Sequence, residues 1–146
     1  MKRVKKAQLQ ISFGMIFSII LIIFFLAFAG YAIYKFVSVN KTGEVGNFVN
    51  GLNTDVEDMW KLNKGSQKFS SSLPSGIDQV CINDKSEIYF LPLGSGEGFD
   101  YIEIKHLKIE SIVTDKDFCV KKKDGEVELL IKKDFGETLV MLSAVE

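Results

Sequence analysis

The chain has 146 residues, enough for one ordinary domain and an appendage but not for two full domains. Its formal net charge of -1 hides an asymmetry: six of the 18 basic residues (Lys2, Arg3, Lys5, Lys6, Lys35, Lys41) stand at or before position 41, and all 19 acidic residues follow it. The part after Lys41 therefore carries twelve positive charges against nineteen negative ones, net -7. That balance argues against nucleic acid as a partner, because phosphate binding needs a basic footprint, and against flat docking on anionic lipid.

Residues 1–10 form a basic N-terminus, read as cytoplasmic. Ile11 to Tyr34 then contains no charged side chain. As a helix its 24 residues span about 36 Å, somewhat more than the roughly 30 Å of a bilayer's hydrocarbon core, so a modest tilt fits it to the membrane. Tyr31, Tyr34 and Lys35 suit the headgroup region at its far end. Four basic residues precede the span and acids accumulate after it, so the positive-inside rule places the N-terminus in the cytoplasm and the C-terminal domain outside. The first expected partner is the lipid bilayer of the cell membrane. Gly14 and Ser18, four apart on one helical face, have the spacing of small-residue helix packing, although chance produces the same pair in many spans.

Three fates of this segment stay open. An uncleaved anchor accords with apolar character continuing through Ala32, Ile33, Phe36 and Val37. A secretory signal would be cut after Ala27-Phe28-Ala29, leaving Gly30 first, but the apolar run is long for one. The third fate comes from resemblance. Lys5-Lys6-Ala7-Gln8-Leu9, directly before the apolar helix, resembles the class III signal of archaeal type IV pilin-like proteins. The resemblance covers only the N-terminal segment; it implies a peptidase that recognises Lys6, Ala7 and Gln8, cuts after Ala7 and leaves the helix intact for filament assembly. At the fifth mature position, where many pilins carry an acid, this chain has Ser12. The run Ile11 to Ile19 also resembles uncharacterised single-span membrane proteins of small-genome archaea, which implies no activity.

Residues 35–65 read as a juxtamembrane segment with an amphipathic helix. Asn40-Lys41-Thr42 is a sequon, so Asn40 is a candidate glycosylation site in an exported domain. From Val45 the apolar residues Phe48, Val49, Leu52, Val56, Met59 and Trp60 recur at helical spacing, which places Trp60 in the core stripe. Gly43, Gly46 and Gly51 weaken the helix, and Thr54-x-x-Glu57 has the pattern of a fresh N-cap, so one helix or two are both open.

Residues 66–146 change to period two and read as an extracytoplasmic β-rich domain. Phe69, Ser71 and Leu73 alternate before the turn at Pro74-Ser75-Gly76, Val80 and Ile82 alternate around Cys81, and Ile88 to Leu91 is a short apolar run. Gly94-Ser95-Gly96-Glu97-Gly98 lacks the Lys-Ser/Thr of a nucleotide loop and reads as a turn. Alternation slips near His106, which predicts a bulge. Asp124-Gly125 is a hairpin signal whose closure would pair Lys123 with Glu126, Lys121 with Glu128, Val120 with Leu129 and Phe118 with Ile131. Thr138 to Leu142 supplies a last strand. The expected fold class is α+β, a transmembrane helix and an amphipathic helix followed by a mostly antiparallel sheet of six or seven strands, with an all-β sandwich as the rival.

Cys81 and Cys119 lie in expected strands, each pointing away from the apolar alternation, so a disulfide is geometrically open and outside the cytoplasm it is favoured over two free thiols. The chemistry of an enzyme is harder to assemble. His106 is the chain's one imidazole, and neither it nor Ser70, Ser71, Cys119 or the pair Asp115/Asp117 belongs to a catalytic motif; two Cys and one His without Cys-x-x-Cys spacing make a poor zinc set. Lys121-Lys122-Lys123 reads as a solubilising strand edge. No catalytic residue, metal, cofactor or small-molecule substrate is assigned. The expectation is a non-enzymatic surface protein, a pilin-like filament subunit or other homo-oligomer. A tethered envelope or adhesion component, an accessory subunit of a larger membrane complex, and a membrane-anchored hydrolase are the alternatives.

Overall fold

The computed structural model describes residues 13–109 and 117–145. Among them are one helix, α1 (Phe13–Lys61), and eight strands: β1 (Gly65–Ser72), β2 (Gln79–Ile82), β3 (Glu87–Leu91), β4 (Ile102–Glu103), β5 (Leu107–Ile109), β6 (Phe118–Lys121), β7 (Glu126–Lys133) and β8 (Val140–Ala144). The chain divides into two compact units, one ending at Ser38 and the other running from Val39 to Glu146. In the first, every described residue through Val37 is exposed, and the helix is long and apolar enough to cross a membrane.

In the second unit α1 is amphipathic. Val45, Phe48, Val49, Leu52, Val56 and Met59 are buried, the stripe expected from their spacing. There is one helix rather than two, because Thr54 does not cap a new start. Its Oγ1 donates to the carbonyl of Asn50 one turn back at 2.8 Å. Two of the glycines that lower helix propensity sit under aromatic rings. A Cβ on Gly46 would stand 2.9 Å from the Phe99 ring, and one on Gly51 would lie 3.4 Å from that of Phe69. Their absent side chains let those rings close onto the helix.

The strands form two four-stranded sheets, ordered β1-β7-β8-β5 and β4-β3-β2-β6. All pairings are antiparallel except β5 with β8. The fold is therefore α+β with two sheets and eight strands, where one sheet of six or seven was expected. Inward residues of both sheets, among them Phe69, Val127, Leu129 and Ile131 of one and Val80, Ile82, Ile88 and Phe90 of the other, join the helix stripe in a single core. Phe48 links the layers: its ring centroid is 5.3 Å from Phe69 on β1 and 6.1 Å from Phe90 on β3, both edge-on.

Three local expectations change. The slip near His106 is not a bulge but a crossover, since β4 pairs in one sheet and β5 in the other, with buried Ile104 between them. Asp124-Gly125 does make the expected turn, with φ of 52° and 90°, and Lys123 and Glu126 exchange both backbone hydrogen bonds. Beyond that pair the strands part: β6 joins β2, while β7 is flanked by β1 and β8, so Leu129 faces Phe69 and Val120 faces Val80. Burying those apolar pairs outweighs the few tenths of a kcal/mol available from each exposed Lys–Glu pair. Finally, Trp60 is 39% exposed rather than core. It stands in the last turn of α1, where the buried ammonium of Lys133 donates to its carbonyl and completes the helix C-terminus.

Candidate functional site

The register of β2 and β6 places the two cysteines directly opposite one another. The Lys122 N–H donates to the Asp78 carbonyl at 2.8 Å, one pair beyond that register, so Asp78–Lys122 and Val80–Val120 are hydrogen-bonded pairs. Cys81–Cys119 is then a non-hydrogen-bonded pair, the kind in which antiparallel Cα atoms come closest; the separation is 4.1 Å and the sulfurs are bonded. Cys81 is sealed inside, whereas Cys119 is exposed.

Across β2 from Cys81 lies Tyr89 of β3, whose ring stacks on Tyr101 at 5.5 Å with planes 14° apart. Its hydroxyl donates to Asp117 at 2.5 Å. Burial of the phenol, then the bond to Asp117 and that carboxylate's charge, push the Tyr89 pKa from 10.0 up to about 12. The sign follows: between these values the unfolded chain releases a proton that the folded protein retains, so stability falls as pH rises from 10.0 to about 12. Denaturant titrations across that range will show the decline, and Tyr89→Phe will flatten it; an unchanged slope in the variant contradicts the assignment.

Where β6 and β7 part beyond the turn, an open cleft of about 430 Å³ lies between them, lined by Val120, Lys121, Lys123, Asp124, Glu126, Glu128 and Val145. The expected pairing of Lys121 with Glu128 does not form. Glu128 instead meets Lys68 of β1 at 2.7 Å, and Glu126 accepts from the Ser70 hydroxyl at 2.8 Å. Among the described residues, the ammonium groups of Lys121 and Lys123 have no partner.

The remaining candidates are scattered. His106 stacks on Trp60 with centroids 3.9 Å apart, and the Trp60 indole N–H donates to the Thr138 carbonyl. Ser70 is engaged with Glu126 and Cys119 with Cys81, so neither presents a nucleophile to the imidazole. The glycine loop is a turn in which a Cβ on Gly96 would overlap the Asp100 carboxylate, which itself accepts from the Phe90 N–H. No protein-family model, curated protein or solved structure matches the chain.

Asn40 is exposed on α1. Gly14 and Ser18 are exposed one turn apart, with the Ser18 hydroxyl donating to the Gly14 carbonyl at 2.8 Å. Lys6, Ala7, Gln8, Ser12 and Asp115 lie outside the described residues. The Tyr89–Tyr101–Asp117 group and the cleft escaped the sequence reading. The alternation Ile88/Phe90 already turns Tyr89 to the face of Cys81, but nothing local marks the cleft, because it exists only where β6 and β7 choose different sheets.

Proposed function

We propose that the protein is a non-enzymatic, single-pass membrane protein with a cytoplasmic N-terminus, whose outer domain serves as a pilin-like structural subunit of a surface assembly. The observation that carries this reading is α1 itself. One helix supplies both the exposed apolar stretch from Phe13 to Val37 and the stripe from Val45 to Met59 that packs against the β-sheets. That is the division of labour expected of a pilin helix, and it joins the Lys6-Ala7-Gln8 signal resemblance. The span's polar side chain at Ser18 is satisfied by the helix's own backbone, as hydrocarbon requires. The disulfide accords with an oxidising outer compartment.

Orientation is tested by labelling intact cells with a membrane-impermeant amine reagent. The expected result is modification of outer lysines such as Lys85 and Lys132 on intact cells rather than only after lysis. The reverse pattern overturns the reading.

A further inference from the structure

We infer that β1 is a homophilic contact: the free edges of two copies pair antiparallel, centred on Phe69, and join their sheets into one. The hydrogen-bond phase is fixed where β1 ends. The Leu73 N–H donates to the Gly125 carbonyl at 3.1 Å, one step beyond the Ser72–Glu126 pair, so Ser71, Phe69, Gln67 and Gly65 bond to β7. The N–H and C=O groups of Ser66, Lys68, Ser70 and Ser72 therefore turn the other way, where β1 is the edge of its sheet. All four residues are exposed, and among the described residues nothing hydrogen-bonds to those backbone groups. At eight residues β1 is also the longest edge strand, against two for β4, three for β5 and four for β6. It contains no proline, and its one charge, Lys68, is held on the outer face by Glu128. β5, from which the chain leaves the described residues at Ile109, lies at the opposite edge of the same sheet.

The occupant follows from the strand's own sequence. Centred on Phe69, every outward-turned residue meets another: Ser66 faces Ser72, and Lys68 faces Ser70, of the second copy. Each Lys68 ammonium then stands beside a hydroxyl bonded to Glu126 at 2.8 Å, and Glu126 has no cation of its own among the described residues. Moving the centre to Lys68 would set two lysines face to face and leave Ser72 unpaired. Four outward residues a side make a contact below about 1,200 Å², the range of weak and transient pairs. β1 runs opposite to α1, since a Cβ on Gly65 would meet Met59 while Phe69 packs on Gly51 and Phe48. α1 therefore enters the two paired domains from opposite ends. On the single-pass reading, on which this last step rests, the partners stand on facing membranes and not side by side in one.

The test follows full-length, oxidised protein in detergent micelles by sedimentation equilibrium and hydrogen exchange. Dimers should form as concentration rises, with the amides of Ser66, Lys68, Ser70 and Ser72 gaining protection together. Ser70→Pro removes an outward N–H without touching a bond to β7; it should weaken pairing at least about tenfold with the circular dichroism unchanged, and Lys68→Glu should act similarly. Lipid vesicles displaying the outer domain should cluster, and those carrying S70P should not. A monomer at every concentration up to about 1 mM, dimers that both substitutions leave intact, or protection confined to other strands overturns the pairing. Dimers in micelles without clustering of vesicles overturn the facing arrangement.

Discussion

Replacing Phe48 with alanine will cost the outer domain about 3 to 5 kcal/mol, a large effect for a single truncation. The side chain is fully buried and touches both sheets through Phe69 and Phe90, so its removal opens a cavity where helix and sheets meet. Neither ring can collapse into it without loosening its own strand. Denaturant unfolding followed by circular dichroism measures the loss. Phe135→Ala is the matched control, since that ring is 82% exposed and its truncation should change stability by no more than about 0.5 kcal/mol. Similar losses in both variants would contradict the packing described.

Removing the disulfide ranks next. Cys81 and Cys119 are 38 positions apart, and in the chain-entropy description a cross-link closing such a loop stabilises by about 4 kcal/mol. The Cys81→Ala/Cys119→Ala variant should unfold correspondingly earlier in denaturant, and β6, held on one side only by β2, should be the first strand to lose hydrogen-exchange protection. The bond should also resist thiol reductants while the domain is folded. An attacking thiolate approaches from the exposed Cys119 and must expel the thiolate of the fully buried Cys81, where a charged leaving group shielded from water is disfavoured. Rapid reduction of the native protein would contradict that burial asymmetry.

What the sequence revealed and concealed divides along sequence distance. The α1 stripe was legible because helical packing repeats within a few residues: Val45 to Met59 are buried as their spacing requires. Trp60 keeps the same phase but belongs to the final turn, where its ring stacks on His106 and stays 39% exposed, and periodicity carries no information about where a neighbouring layer ends. The Asp124-Gly125 turn was legible because two residues determine it, whereas its continuation into a hairpin was not. The partners that won β6 and β7 lie far away in the chain; Val80 stands 40 positions before Val120, and Phe69 stands 60 before Leu129. Charge matching between Lys121 and Glu128 was a true local complementarity that a stronger distant one displaced.

The cysteines illustrate the intermediate case. Alternation placed each on the outward face of its strand, and the register then set them opposite one another; only the adjacency of β2 and β6 required the structure. The cleft follows from the same divergence of β6 from β7, which makes it a property of topology rather than of motif.

The central claim is that α1 is both a membrane span and the structural helix of a pilin-like subunit, and the mass of the native N-terminus, measured on protein isolated from its own membranes, tests it most directly. The account predicts a chain beginning at Gln8, cut after Ala7 with the apolar helix retained. A chain that still carries Met1 contradicts the pilin-like reading, and one that begins at Gly30 contradicts the membrane span as well.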